Sequence, residues 1–427
     1  MFGLSRYQWL VLFAAWLGWG FDVFDGLLFN FVAPICIPNL LGLDPADPAT
    51  HKTTMYWTAS LTSLLLVGWA IGGIIFGKLT DRFGRTKTLL LTMLTYALGT
   101  AACAFSPHIL FLACFRFIAA LGIGGEWAAG ASLVAETLPR EKRVMGGALL
   151  YTSAPFGLFL ATFVNDLFTR QMDSLASNPD LSWRAVFLTG LIPAFVALLI
   201  RMKVKESEEW TPSDEAPRIR ELFSPELRRR TIGALVLSIT ALITWWTCSA
   251  FLPVVASYLA QTENTDPSQL ALEKTAFITT ATTRFNLGGL IGTLLTIPAA
   301  LYLGRRPMFA IYFAFSAVGV WATYALPLSP NVRMFAMGLT GVSVFGVFGA
   351  FSFYLPELFP TRLRGTGAGF CYNFGRIATA FFPFIVGVIV RSGISPLETL
   401  KWVAIAPALG LVAMAFGYGD ETRHQGA

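Results

Sequence analysis

What most constrains this chain is the recurrence of apolar runs long enough to cross a bilayer. A transmembrane helix takes about 20 largely apolar residues, which at 1.5 Å per residue match a hydrocarbon core about 30 Å thick and pair the interior backbone groups within the helix. Six such runs come first: Tyr7–Pro34, Tyr56–Phe76, Thr88–Phe105, Ile109–Ala135, Val144–Phe168 and Arg184–Met202. A polar stretch, 203–230, rich in Glu, Pro and Arg and ending in Arg228-Arg229-Arg230, interrupts them. Six more follow: Thr231–Leu259, Thr275–Leu301, Met308–Leu326, Met334–Leu355, Gly367–Val390 and Trp402–Tyr418. The expected fold is an all-α integral membrane protein of 12 transmembrane helices. They form an N-terminal half (1–202), a cytoplasmic linker (203–230) and a C-terminal half (231–427).

Composition agrees. Of the 427 residues 55% are hydrophobic and 13% charged, with a mean hydropathy of +0.62, against about 25% charged in soluble domains. One soluble core could not hide so much apolar surface, so lipid must cover the rest. The net charge of +6 does not mark a nucleic-acid binder, because the bases form neither one block nor one amphipathic face. They fall in alternate loops, mostly on one side, which by the positive-inside bias places both termini in the cytoplasm of a plasma (inner) membrane. A cleaved signal peptide is not expected, because the first run is too long, contains acids and lacks a small-residue cleavage site.

Metal, cofactor and enzyme chemistry find no support. Cys36, Cys103, Cys114, Cys248 and Cys371 all lie in apolar runs without ligand spacing and are read as core fillers, while His51, His108 and His424 sit in loops or the tail. Neither a phosphate loop nor a nucleophile constellation is present. The expectation is a monomeric carrier and not an enzyme, with no cofactor and no metal.

Charges inside the apolar runs are the most informative residues. Asp22 and Asp25, three apart in the first run, share a helix face. An ionised Asp at a transmembrane helix centre costs about 2.5–3.5 kcal/mol on insertion scales. The pair must therefore line a polar cavity, meet cations or hold protons, and is read as a proton-coupling site; a fixed salt bridge to an intramembrane Arg is the alternative. Three arginines lie at membrane depth: Arg116, Arg284 and Arg376. Arg stays protonated, and its planar fork matches a carboxylate with two parallel hydrogen bonds. Arg376 ahead of Arg284 is the expected holder of a substrate carboxylate, with Asn286, Tyr372 and Asn373 as neutral hydrogen-bonding partners and Trp245, Trp246 and Tyr354 as walls. Glu126 is a second candidate proton carrier, against a packing or gate role.

The two halves also repeat. Gly304-Arg305-Arg306 matches Gly84-Arg85-Thr86 220 residues later, with Leu301 where the first copy has Asp81, and Glu357…Arg364 matches Glu136…Arg143. Such repeats place a substrate at their interface and let one half rock against the other.

The stretch Gly77-Lys78-Leu79-Thr80-Asp81-Arg82-Phe83-Gly84-Arg85-Thr86-Lys87 resembles the signature loop of the major facilitator superfamily (MFS). The Glu-x6-Arg pairs resemble those of its sugar porters and organic-ion carriers. Arg116…Leu121-Gly-Ile-Gly-Gly-Glu126-Trp127, the two acids of the first run, Lys205-Glu-Ser-Glu-Glu-Trp210 and Pro356-Glu-Leu-Phe-Pro-Thr-Arg-Leu-Arg364 are similar to its sialate and monocarboxylate:proton symporter branch. That resemblance implies the MFS fold and proton-coupled symport of an organic acid, a monocarboxylate or an acidic sugar such as sialic acid, by alternating access. Its partners would be protons, a small organic anion and the lipid bilayer. It implies a cytoplasmic gate built from Asp81, Arg82, Arg85, Glu136, Arg143, Arg305, Glu357 and Arg364, and a place for Arg116 beside Asp22 or Asp25, or at the substrate. The alternatives are a symporter of neutral sugars or aromatic acids, and, from another class, a transporter-like sensor.

Overall fold

The computed structural model describes residues 4–43, 48–168, 172–176, 178–191, 195, 199, 206, 218–263, 267–391 and 394–416. Among them the regular structure is helical and no strand occurs. The principal helices are α1 (Arg6–Leu41), α2 (Pro48–Phe83), α3 (Arg85–Cys103), α4 (Ile109–Thr137), α5 (Arg143–Tyr151), α6 (Ser153–Asp166) and α7 (Pro179–Thr189). After the linker come α8 (Arg228–Glu263), α9 (Pro267–Pro298), α10 (Arg305–Ala325), α11 (Pro330–Glu357), α12 (Arg364–Arg391), α13 (Pro396–Leu400) and α14 (Ile405–Ala415). Among the described residues, eight helical stretches are long and apolar enough to span a membrane.

Local chemistry sets the helix ends. The Ser5 hydroxyl accepts from the Gln8 amide while the Gln8 side chain accepts from the Ser5 amide, a reciprocal cap that starts α1. The helix then runs past the expected end at Pro34 to Leu41 and stops at Gly42, where φ is +65°. His108, expected in a loop, accepts from the Leu110 amide and caps α4. The fifth apolar run is not one helix. It is broken at Thr152, between α5 and α6.

The chain divides into two compact units. One comprises Met1–Gly146, Ser153–Leu222 and Phe359–Asn373; the other comprises Gly147–Thr152, Phe223–Leu358 and Phe374–Ala427. In the first, Phe24, Leu28, Phe29, Val32, Leu112, Trp183 and Phe187 belong to one buried cluster. Helices α2 and α4 approach so closely that a Cβ on Gly124 would stand 1.9 Å from the Trp69 carbonyl, so only glycine fits there. In the second unit α11 packs against α9 and α10, and its buried face is rich in Phe. Four of the five cysteines are buried as expected, but Cys114 is exposed, because its position on α4 lies next to the outward Phe111 and away from Leu112.

Candidate functional site

The first group of functional residues sits where α2 turns back into α3. Gly84 takes φ +102° at that corner, a conformation that disfavours any residue with a Cβ. The turn places Arg85 at the first position of α3, buried on every side. Its Nε and Nη2 donate to the Glu136 carboxylate of α4 at 2.9 and 2.8 Å, Nη1 donates to the Thr80 carbonyl at 3.1 Å, and Nη2 also donates to the Thr361 carbonyl at 2.8 Å. Asp81 lies 3.2 Å from the same guanidinium. Arg364 adds a second cation on Glu136 at 3.1 Å.

Asp81 also caps a helix from another part of the chain. Its Oδ1 accepts from the Gly365 amide at 3.1 Å, and its Oδ2 from the Thr366 amide and hydroxyl, both at 2.7 Å. Those amides belong to the first turn of α12, where orphan N–H groups and the helix dipole favour an anion. A carboxylate from the linker does the same for α3: Glu206 accepts from the Arg85 amide at 2.7 Å and the Thr86 amide at 3.1 Å.

The structure thus brings Asp81, Arg85, Glu136 and Arg364 together. Arg305 and Glu357, in the other unit, form their own pair at 3.3 Å. Arg82 is exposed, with its guanidinium 5.3 Å from the Phe83 ring centre, and Arg143 donates to the Leu138 carbonyl.

A second group lies within α1, α3 and α4. Asp22 and Asp25 are both buried. The Thr100 hydroxyl of α3 donates to Asp25 Oδ2, and Asp25 Oδ1 faces Gly190, where a Cβ would stand 2.9 Å from it. Arg116 was expected beside one of these acids or the substrate. It reaches Asp25, but its Nη1 and Nη2 donate to the α1 carbonyls of Asp25 and Gly26, at 3.3 and 3.1 Å, and its guanidinium lies 5.2 Å from the Phe29 ring centre. Spacing along the sequence foretells that neighbourhood but not the rotation of α1 that turns carbonyls toward the arginine. Glu126 is buried on α4, with its Oε2 3.1 Å from the Thr92 hydroxyl of α3.

The remaining candidates are placed as follows. Arg376 and Tyr372 are buried on α12. Asn373 is fully buried; its Nδ2 donates to the Gly369 carbonyl and the amide lies against Gly73 of α2, closer than any Cβ there would allow. Asn286 is buried on α9. Arg284, expected at similar depth, is only half-buried and donates to the Asn331 carbonyl in the first turn of α11. Trp245 meets Trp246, Phe345 and Phe348 edge-on, with ring centres 4.9, 5.6 and 6.0 Å away. Tyr354 is buried against Phe309.

Thr92, Thr100, Thr366, Glu206 and Gly190 were missed. Of these only the threonines of α3 carry a readable signal, a hydroxyl at every fourth position. No set of three or more His, Cys, Asp or Glu side chains among the described residues could hold a metal ion.

Known proteins resemble the chain in sequence and in fold. The profile described as Major Facilitator Superfamily matches residues 9–383. A protein named "Probable 4-methylmuconolactone transporter" from Cupriavidus pinatubonensis is 30% identical over 96% of this chain and 89% of its own length. The sialic acid transporter NanX of Escherichia coli is 25% identical, covering 95% and 93%. Among solved structures, the proton:xylose symporter XylE superposes with a TM-score of 0.76 at 19% identity, covering 96% of this chain and 95% of that one. With a profile match over most of its length and an all-helical fold, the chain belongs to the Major Facilitator Superfamily of membrane transporters.

Proposed function

We propose that this transporter carries an organic acid, a monocarboxylate or an acidic sugar, together with protons by alternating access. The observation that carries the reading is the buried α1 pair. Asp22 and Asp25 lie one helical turn apart, and the neighbouring Arg116 donates to backbone carbonyls of α1. Two adjacent carboxylates in a site without bulk water repel each other when both are ionised, so holding a proton there is a natural state of the pair. Asp22, Asp25 and Glu126 would exchange the proton. Arg376 would hold the anion, ahead of Arg284, whose guanidinium is engaged at the end of α11. The cluster of Asp81, Arg85, Glu136 and Arg364 would close the cytoplasmic face. The names of the relatives, which specify a muconolactone and sialic acid, support a small oxygen-rich organic cargo.

The test is Asp25→Asn in proteoliposomes loaded with sialic acid or lactate. Accumulation driven by a pH gradient is lost, while exchange of internal for external solute survives. Full pH-driven accumulation in the variant contradicts the reading.

A second reading, a planar aromatic acid as cargo, is favoured by Trp245. Three aromatic rings surround it, and its buried indole N–H meets no acceptor among the described residues. A planar anion could stack there and accept that bond. Competition between benzoate and sialic acid for uptake separates the two readings.

A further inference from the structure

Asp25 and Glu126 are too far apart to exchange a proton directly. Arg116, which touches the Asp25 carbonyl, precedes Glu126 by ten residues on α4, about 15 Å along the axis at 1.5 Å per residue. Between them runs α3. It carries Thr88, Thr92, Tyr96 and Thr100 at four-residue intervals, and all four are buried. At 100° per residue the series drifts by about 40° at each step, so it winds slowly round the helix. That drift matches what the two ends touch: Thr92 meets Glu126 of α4, and Thr100 meets Asp25 of α1.

The chemistry of Thr92 is specific. Its hydroxyl has one proton and two oxygen neighbours, the Leu89 carbonyl at 2.8 Å and Glu126 Oε2 at 3.1 Å. If the proton goes to the carbonyl, the contact with Glu126 is a full hydrogen bond only when Glu126 is itself the donor, as a neutral acid. If it goes to Glu126, an ionised carboxylate accepts it. The same contact therefore accommodates both protonation states with only a hydroxyl rotation. Thr88 extends the series toward Arg85, and its buried hydroxyl has no partner among the described residues. An orphaned buried hydroxyl is costly unless something accepts or donates there, and water is the usual occupant.

We infer that this hydroxyl ladder on α3 is the path by which protons pass between Asp25 and Glu126 and reach the Gly84 face. Thr100, Tyr96 and Thr92 act in sequence with water bridging the turns between them. Each oxygen accepts a proton from one neighbour and releases its own to the next. One proton leaves the carboxylic acid at one end, one arrives on the carboxylate at the other, and every hydroxyl ends neutral. Among the described residues, the charged and titratable groups around the path are Asp22 on α1, Arg116 on α4, Cys103 on α3 and Cys36 on α1 toward Asp25, and Asp81, Arg85, Glu136, Arg364 and Glu206 toward Gly84. The inference rests on the proton-coupled reading above and adds residues that it does not name.

Thr92→Val keeps the methyl that lies against Gly125 and removes only the hydroxyl; Thr92→Ser keeps the hydroxyl. Both are compared with the unaltered protein in vesicles containing a pH-sensitive dye. Sialic acid, lactate and benzoate serve as probes, and leak is subtracted with protein-free vesicles. In Thr92→Val, proton flux coupled to solute falls about tenfold, a rise of about 1.4 kcal/mol in the barrier, while solute exchange stays within about twofold and Thr92→Ser restores the flux. If proton flux and exchange fall together in Thr92→Val, or if flux is unchanged, the ladder is only packing and the inference is overturned. If the unaltered protein moves no protons with any probe, the coupled-symport reading fails and takes the ladder with it.

Discussion

The α2–α3 corner and the α9–α10 corner are copies of one design, and their differences show what a single acid adds. Each turns at a glycine of positive φ, Gly84 and Gly304. In each, the arginine that follows donates to a carbonyl five residues back, Thr80 or Ala300, and pairs with a glutamate from a neighbouring helix, Glu136 or Glu357. At the first corner both side chains of that pair are wholly buried; at the second they are 21% and 14% exposed. At the first, Asp81 lies against the Arg85 guanidinium and accepts from the Gly365 amide and from the Thr366 amide and hydroxyl at the start of α12. Leu301 stands in its place at the second, exposed in a π-helical turn that runs from Ala299 to Leu303. The repeated turn folds the chain back, but the acid converts one turn into a clamp on a distant helix.

The contrast can be tested at several strengths. Arg85→Ala leaves Asp81 and Glu136 short of a buried cation and is expected to cost about 3–5 kcal/mol. Arg305→Ala, at a partly wetted pair, should cost about 1 kcal/mol or less. Unfolding of the two variants in the same detergent compares them, and equal losses break the comparison. Next in size is the glycine pair. Both Gly84→Ala and Gly304→Ala force a residue with a Cβ into a positive-φ, extended-ψ conformation that is essentially reserved for glycine, at about 1–3 kcal/mol. At Gly84 the new Cβ would also stand 2.3 Å from Glu206 Oε2, whereas at Gly304 nothing lies within 4 Å. The first variant should therefore lose more stability, and Gly84→Ala combined with Glu206→Ala should be relieved of the clash while keeping the backbone strain and the loss of the cap. Asp81→Asn comes third. It keeps one acceptor oxygen but turns a donor toward an α12 amide, and about 1–3 kcal/mol is expected from that mismatch.

The smallest effect concerns Glu221, which pairs with Arg362 in the turn before α12. Slight burial opposes its charge, but the Arg218 amide and the Arg362 guanidinium outweigh it and hold the carboxyl below its usual range. A group lowered in the folded state stabilises above its unfolded pKa of about 4.3 and loses that contribution as pH falls through the folded value. Glu221→Gln should thus cost about 0–1 kcal/mol near neutral pH, and the difference from the unaltered protein should close below the ordinary carboxylate range in a pH series of unfolding curves.

Much of this was legible in the sequence, for identifiable reasons. Gly84 and Gly304 announce themselves because glycine, arginine and a polar break recur between apolar runs. Asp22 and Asp25 are conspicuous because acids are costly in lipid. Partners were harder to read. That Asp81 would cap α12 depends on packing between segments almost 300 residues apart, and no local pattern in Gly365-Thr366 declares it. Arg116 and Arg284 stand out as charges within apolar runs, but the carbonyls they bond depend on helix rotation and on the reach of a long side chain. Thr92 and Thr100 escaped notice because threonine is ordinary in an apolar helix, where it back-bonds to its own turn. Only the acids opposite them give the spacing a meaning.

The central claim is that an organic anion moves together with protons that are exchanged at Asp22 and Asp25. Proton movement into proteoliposomes of the purified protein tests it most directly, with lactate, pyruvate, sialic acid, aromatic acids and neutral sugars added in turn and the Asp22→Asn/Asp25→Asn variant as the leak control. The account predicts external alkalinisation with particular anions that disappears in the double variant. Alkalinisation with a neutral sugar but with no anion, or proton movement that the double variant retains in full, would contradict it.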